Sequence, residues 1–245
     1  ETVEKAFRGL ASKQVDLFSK TVRNGLLTGE TTDQIARRLR GRLTFETAAK
    51  GSISQIARRG GLSTKLANHQ VMTLVRTSVN QVANVASQSV YEANQNISEK
   101  YEYVATLDSK TSAICARLDG QIFSYNKGPT PPQHFNCRST TVPIIDWGEY
   151  DLKKPPEGTR PAKWGAKQKG RQVPSNMNYA DWLIEQPQSV QAEVFGKWKS
   201  QYFVQLSKKE GAQSALRKIV RTDGSELTLE QLKRRYPSLP ASQDA

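Results

Sequence analysis

The amino-acid sequence predicts a mainly helical α+β protein, and three observations support this prediction. Most of the chain carries apolar residues at helical spacing. One stretch, residues 101–144, instead places short segments rich in Tyr, Val and Thr between turn residues, which is typical of a small antiparallel sheet. A Pro-, Gly- and Lys-rich segment separates this stretch from further helical sequence. We therefore expect long N-terminal helices, a small central sheet, and C-terminal helices joined by a basic Pro/Gly-rich arm.

These changes in composition divide the chain into four predicted regions. We expect a helical N-terminal region over residues 1–100 and a small β-containing core motif over 101–146. An extended basic arm should follow over 147–177, and a C-terminal helical region over 178–245. Since the arm has almost no aliphatic residues, it cannot build a core, and we expect it to be mobile or bound to a partner.

Two helices are predicted before the longest one. The first should occupy residues 1–28, because its apolar residues recur at helical spacing and Gly29 follows as a stop signal. Thr31 and Gln34 have the spacing of a capping box, which predicts a second helix through residue 43. This second helix is rich in arginine.

The longest predicted helix begins after Ser63, a suitable N-cap, and runs to about Ser98. Arg76 lies beside its apolar stripe, and a bidentate pair with a carboxylate such as that of Asp108 would stabilise it there. The predicted apolar stripe consists of Val71, Leu74, Val75, Val82, Val85, Ala86 and Val90.

The central stretch is predicted to contain three short strands. They are residues 101–108, residues 121–125 after the turn signal Asp119-Gly120, and residues 139–144 after a Pro-rich loop. Between the first two strands, a short helix through Cys115 is expected. Its candidate N-cap residues are Asp108, Ser109 and Thr111.

The C-terminal region is predicted to be helical with two marked boundaries. A first short helix should start at Asn178 or Asp181, and a long helix should occupy residues 189–203. The turn signal Asp223-Gly224 and a capping box from Thr228 to Gln231 precede the last helix. The predicted apolar stripe of the long helix consists of Val190, Val194, Trp198 and Tyr202.

The formal net charge of +13 indicates contact with nucleic acid or with an acidic protein surface. An exposed, solvated basic face is the alternative interpretation. Trp164 lies among lysines and could stack on bases, but a single aromatic residue makes no stacking platform, so we expect it to fill a protein pocket. The candidate contact residues are Arg37, Arg38, Arg58, Arg59, Lys163, Trp164, Lys167, Lys169 and Arg171.

A set of special residues occurs in a fixed order along the long helix and the central stretch. These motif residues are Arg76, Asp108, Thr111, Cys115, Asp119, Gly120, His134, Asn136, Cys137 and Arg138. Their order resembles the Mu F-like head-morphogenesis family, the minor head proteins of tailed phages, and similarity extends from about Gly25 to Tyr236 through Asp181-Trp182-Leu183. The sequence departs from the family pattern at Ser112 and Ser139, where the family often has cysteine.

The resemblance implies a protein of the virion that assembles in the host cytoplasm and lies inside the head near the portal vertex. The implied partners are the portal protein, packaged double-stranded DNA, and the major capsid or scaffold protein. The implied function is head assembly, with DNA packaging or ejection as an extension. No apolar run approaches membrane-spanning length, so no membrane partner is expected.

The two cysteines and one histidine of the central stretch are the candidate metal ligands. His134 and Cys137 have the spacing of half a zinc site, and Cys115 could supply a third ligand. Packed thiols or a disulfide are the alternatives, and we expect no cofactor because a complete ligand set is missing.

The same residues raise the alternative of an enzyme. Cys115 could be a nucleophile with His134 as its base, and Asp108 or Asn136 could orient the imidazole. Since the sequence has no phosphate-binding loop and no dinucleotide fingerprint, we expect a non-enzymatic protein. A stand-alone basic DNA-binding protein is the other alternative, and its affinity would fall steeply with salt.

Overall fold

The structure of the chain, a computed structural model, describes residues 12–39, 64–148, 153–163 and 170–239. The chain divides into two compact units. The first unit consists of residues 1–89 with 130–138, and the second of residues 90–129 with 139–245. The mainly helical α+β class with a small antiparallel sheet is confirmed.

The described part of the first unit is helical apart from the loop 130–138. Helices α1 (Ser12–Leu27) and α2 (Thr32–Leu39) pack together, and most of the long helix α3 (Thr64–Ala93) also belongs to this unit. The predicted capping box is confirmed, because the backbone N–H of Gln34 donates to Thr31 Oγ1 at 3.3 Å and that of Thr31 donates to Gln34 Oε1 at 2.7 Å. Residues 1–11 and 40–43 of the two predicted helices lie outside the described residues. The buried core consists of Phe18, Val22, Ile35, Ala36, Leu39, Val71 and Val75.

The predicted apolar stripe of α3 is wrong for the second half of the helix. Val82, Val85 and Val90 are 48%, 56% and 60% exposed, whereas Thr77 and Asn84 are buried. The side chains of Thr77 and Asn84 donate to backbone carbonyls four residues earlier, at 2.7 and 2.8 Å. Because these two donor groups are bonded within the helix, part of the cost of burying them is offset. The helix also ends at residue 93, before the predicted residue 98.

The second unit contains the predicted sheet. Strands β1 (Lys100–Val104), β2 (Ile122–Ser124) and β3 (Thr140–Ile144) are antiparallel, in the order β2-β1-β3. Tyr101 and Tyr103 of β1 alternate with more exposed residues and are fully buried, as expected for one covered face. Strand β1 ends four residues before the predicted boundary.

The short helix α4 (Ala113–Leu118) follows β1, but none of the three predicted N-cap residues caps it. Ser112 is the N-cap and accepts the backbone N–H of Cys115 at 3.4 Å. Asp108 instead accepts the backbone N–H of Lys110 at 3.0 Å, forming a local turn. The predicted turn after the helix is confirmed, because Gly120 adopts a φ of +75°.

The expectation of an arm that contributes nothing to a core is wrong for the described part of the segment. Strands β4 (Thr159–Ala162) and β5 (Arg171–Pro174) form an antiparallel hairpin. Arg160 and Ala162 are buried, and the backbone N–H of Lys163 donates to Leu107 O at 2.8 Å. The composition does not predict this arrangement, because a buried cation and backbone pairing hold the segment, and its apolar contacts with the core come from a few residues such as Ala162 and Val173. The boundaries of the four predicted regions stay predictions.

The C-terminal helices are α5 (Tyr179–Ile184), α6 (Gln188–Phe195), α7 (Lys197–Glu210), α8 (Ala212–Ile219) and α9 (Leu229–Arg235). The single predicted helix over 189–203 is wrong, since Gly196 adopts a φ of +78° and separates α6 from α7. Trp198 is accordingly 37% exposed instead of lying in a stripe. The capping box of α9 is confirmed between Thr228 and Gln231.

These helices enclose the main core of the second unit. Its largest fully buried members are Tyr179, Trp182, Leu183, Tyr202 and Phe203. Within the four described ranges, no helix has the length and apolar character needed to cross a membrane.

Candidate functional site

The predicted motif residue Asp119 lies at the C-terminal end of α4 and is fully buried in the second unit. Its carboxylate accepts the backbone N–H of Ala105, which follows β1, and that of Tyr179 at 2.7 Å, which begins α5. Its backbone carbonyl accepts the side-chain amide of Gln213 in α8 at 3.2 Å. Asp119 therefore connects segments that are distant in sequence.

The partner of Asp119 is Arg160 of the β4–β5 hairpin. Arg160 Nη1 donates to Asp119 Oδ2 at 3.1 Å and Nη2 donates to Oδ1 at 3.0 Å, a bidentate pair. The guanidinium also donates to Met177 O at 3.1 Å and to Ala105 O. Arg160 is 8% exposed, so this pair is desolvated and its stability depends on complete hydrogen bonding. Sequence reasoning missed Arg160, because the surrounding segment looks like a linker.

Burial and the Arg160 charge have opposing effects on the pKa values of the acidic groups near this pair. It raises the pKa of the Asp119 carboxyl, and the Arg160 guanidinium with the two backbone N–H donors lowers this pKa in part. Burial also raises the pKa of the half-buried Glu102 on β1, and the charge of Asp119 raises it further. The Arg160 charge only partly offsets these effects on Glu102.

The first unit brings together two parts of the predicted motif that are far apart in sequence. The backbone N–H of Asn136, in the loop 130–138, donates to Thr77 Oγ1 of α3 at 2.9 Å. Asn136 adopts a φ of +57°, in the left-handed region where asparagine is more frequent than most other residues. The contact is made by Thr77, the neighbour of the predicted Arg76. Arg76 itself is exposed, and its pairing with Asp108 stays a prediction.

His134 and Cys137 of the same loop approach each other. Their candidate ligand atoms lie within 4.8 Å, and the hydrogen bond with Cys137 raises the pKa of the His134 imidazole. A hydrogen bond between His134 Nδ1 and Phe135 O, 2.8 Å long, adds to this effect, while burial and Arg138 oppose it. Two ligands are half of a structural zinc set. Since Cys115 belongs to the second unit, the three-ligand zinc site stays a prediction.

Cys115 is 1% exposed and lies in α4. The Tyr103 hydroxyl on β1 lies 3.2 Å from its Sγ, within hydrogen-bond distance for sulfur. Cys137 is 3% exposed, and both cysteines are free thiols. Buried thiols of this kind behave as small apolar groups with weak donors, and the disulfide alternative is not formed here.

The remaining motif residues have local structural contacts. Thr111 donates its hydroxyl to Asp108 Oδ1 at 3.1 Å, and the Tyr179 hydroxyl donates to Asp108 O at 3.1 Å. Gly120 lies close to Asn178, which leaves little space for a side chain at this position. Arg138 is exposed.

The basic contact candidates differ in their surroundings. Arg37, Lys163 and Arg171 are exposed, whereas Arg38 forms an ion pair with Glu30. The remaining candidates, Arg58, Arg59, Trp164, Lys167 and Lys169, lie outside the described residues.

The chain is similar to known proteins over part of its length. A family model described as Phage Mu protein F like protein matches residues 16–142. A protein of Haemophilus influenzae described as "Uncharacterized protein" is 28% identical over 120 residues, which cover 44% of this chain. The match covers 27% of the length of that relative. No solved structure matches the chain.

Substitution of Arg160 tests the buried pair. Arg160→Gln should lower the free energy of unfolding by about 3–5 kcal/mol, because it leaves the Asp119 charge buried without its partner. Arg160→Lys should also lower the free energy of unfolding, because an ammonium group cannot form the bidentate pair of the guanidinium. Urea denaturation at neutral pH measures both effects. The matched control, Arg171→Gln at an exposed position of β5, should change stability by less than about 1 kcal/mol, and an equal loss in both variants would contradict the assignment.

Glu102→Gln should raise stability at neutral pH. Folding raises the pKa of Glu102 above its unfolded value of about 4.3. The protonated form of Glu102 therefore contributes stability below that pH, and this contribution is lost as pH rises through the folded pKa. The variant and the wild-type chain should therefore converge below about pH 4, as measured by thermal unfolding across pH. Glu99→Gln, at an exposed position, is the control. A less stable Glu102→Gln variant at pH 7 would show that the carboxylate has a favourable partner.

Both thiols should react slowly with Ellman's reagent in the native chain and fully in urea, because both are buried. Cys115→Ser identifies which thiol accounts for any native reaction. Fast reaction of Cys115 at neutral pH would instead indicate an activated thiolate and would favour the Cys/His enzyme.

Proposed function

Because the chain belongs to the family of Phage Mu protein F like proteins, we propose that it is a minor head protein of a tailed phage. In this proposal the chain associates with portal subunits inside the head and acts in head assembly. It reaches the virion from the host cytoplasm, where assembly takes place. The observation that carries the proposal is the family match over residues 16–142, which is more than half of the chain.

The geometry of the motif residues supports a structural role. Asp119 uses both carboxylate oxygens to hold Arg160 and two backbone N–H groups, which leaves it no exposed oxygen for acid–base chemistry. Cys115 is buried beside Tyr103, where substrate access would require the core to open. These arrangements favour an assembly protein over an enzyme centred on Cys115 or His134.

The charge of the chain supports a contact with packaged DNA as a secondary part of this function. The net charge of +13 attracts the phosphate backbone, and Arg37, Lys163 and Arg171 are exposed cations. Lys153 and Lys154 precede the β4–β5 hairpin and are exposed as well. The second candidate function, a DNA-binding protein that needs no portal, rests on the same charge.

Co-purification with the portal protein of the same phage tests the proposal. The full chain should form a complex that survives an increase in salt from about 0.05 to about 0.5 M, because salt screens charge–charge contacts and leaves apolar contacts in place. Size-exclusion chromatography with light scattering measures the stoichiometry of the complex. If no complex forms at the low or at the raised salt concentration, portal association is contradicted.

A DNA titration on the same preparation separates the second candidate. DNA binding in the secondary role should weaken as salt rises, with a slope that falls by about two units in the Lys163→Gln/Arg171→Gln variant. This variant should bind the portal protein like the wild-type chain. Tight DNA binding at raised salt without portal binding would favour the stand-alone DNA-binding protein.

A further inference from the structure

Positively charged side chains come together beside helices α8 and α9 of the second unit. From residue 197 to residue 245, which is a fifth of the chain, the sequence has ten Lys and Arg residues and five Asp and Glu residues. The contacts described below connect five of the basic side chains of this unit. We call them the basic patch: Arg117, Arg217, Lys218, Arg221 and Arg235.

The C-terminal end of α8 holds Arg117 of α4 next to Arg217. Arg117 Nη1 donates to Arg217 O at 2.8 Å and to Val220 O at 2.7 Å. Burial lowers the pKa of the Arg117 guanidinium, and the charge of Arg217 lowers it further. The acceptors of these hydrogen bonds are neutral carbonyl oxygens, so they fix Arg117 in place without compensating its charge.

The remaining members of the basic patch lie along α9. Arg221 Nη2 donates to Gln231 Oε1 at 3.0 Å, and Gln231 is one helical turn from Arg235. Lys218 Nζ and Arg235 Cζ each lie 5.9 Å from the centre of the Tyr236 ring. The end of α8 and the segment after it therefore follow the length of α9, and their basic side chains are neighbours of Arg235.

The positive charge of the basic patch exceeds what the surrounding structure compensates. Glu210 binds Lys218, and hydrogen bonds from Ser225, and then the charge of Arg221, lower the pKa of the Asp223 carboxyl. These two carboxylates offset two of the five positive charges. The C-terminal ends of α8 and α9 offset about half a charge each. A surplus of about two positive charges remains among the described residues.

The surroundings of the basic patch favour nucleic acid over an acidic protein surface. Between residues 199 and 239, all of which the structure describes, no large apolar side chain is exposed. Protein interfaces have an apolar core, whereas DNA interfaces are polar and positively charged. Four of the five patch residues are arginines, and the planar guanidinium group matches the geometry of phosphate oxygens.

Double-stranded DNA fits the basic patch better than a single strand does. Proteins that bind single strands use exposed aromatic rings on which the bases stack. Tyr236, the aromatic residue at the patch, is half-buried, and Lys218 and Arg235 lie beside its ring. The seven residues of α9 are about 10 Å long, which corresponds to about three successive phosphates of one DNA strand.

We infer that the basic patch binds the phosphate backbone of double-stranded DNA without reading its bases. The inference deepens the DNA contact of the proposed function and rests on that function for the source of the DNA. Arg217 and Arg235 are exposed and donate to phosphate oxygens. Arg117 adds its charge from the half-buried position in which the carbonyl groups of α8 hold it.

The two exposed arginines at the ends of α8 and α9 provide the test. Arg217→Gln/Arg235→Gln in the full chain should raise the Kd for a short mixed-sequence duplex by at least about tenfold at about 0.1 M salt. The slope of log K against log salt concentration should fall by about two units, because each lost phosphate contact removes about one. Arg217→Lys/Arg235→Lys should keep the slope, because both charges remain. Fluorescence anisotropy measures the Kd and the slope.

A matched control removes two positive charges from another surface. Lys20→Gln/Arg23→Gln, at exposed positions of α1, should leave the slope unchanged. All the variants should keep the helix content and the melting temperature of the wild-type chain, because the four positions are exposed. An equal fall in slope in the control would show that binding follows total charge alone, and it would overturn the inference. A fall in the lysine variant, which keeps both charges, would overturn it as well.

The outcomes separate this inference from the proposed function. If the wild-type chain binds the portal protein but not the duplex, the inference is overturned and portal association stands. If the chain binds the duplex through the basic patch but forms no portal complex, portal association is contradicted and the inference stands. If Arg217→Gln/Arg235→Gln loses portal binding and keeps its DNA slope, the patch contacts an acidic protein surface and the inference is overturned.

Discussion

The second unit depends on one buried ion pair between Asp119 and Arg160. The carboxylate accepts from the guanidinium and from backbone N–H groups that follow β1 and begin α5. The guanidinium in turn satisfies carbonyls of Ala105 and Met177. Because each partner completes the hydrogen bonding of the other, neither charge can be removed alone without leaving an unpaired buried group. This ion pair therefore connects the sheet, the hairpin and the C-terminal helices.

Local signals in the sequence predicted those parts of the fold that depend on neighbouring residues. The capping boxes at Thr31 and Thr228 and the turn at Gly120 were predicted correctly, because the responsible contacts are within a few residues. The break at Gly196 was missed, since an isolated glycine is tolerated inside a helical pattern as well as between two helices. The hairpin was missed because its anchor, Arg160, pairs with a residue 41 positions away.

The residues of the candidate site also fall into those that the sequence identifies and those that it does not. The motif includes Asp119, Cys115 and Asn136, and each has a specific buried or backbone contact. The sequence could not identify the contacts of Thr77 and Arg160, because a neutral threonine and a linker arginine carry no local signal of burial. The apolar stripe predicted for α3 was wrong in the second half of the helix for a related reason. Apolar residues at helical spacing define one face of a helix, but they do not show whether the rest of the chain covers that face.

The assignment of the loop 130–138 to the first unit has a consequence for synthesis on the ribosome. Asn136 donates to Thr77, 59 residues earlier, although strands of the second unit flank the loop on both sides in sequence. The nascent first unit therefore cannot complete this contact until residue 136 has left the exit tunnel, by which time β1 and β2 have already emerged. The two units must consequently mature during overlapping stages of translation, and a fragment truncated after residue 89 would lack a part of its own structure.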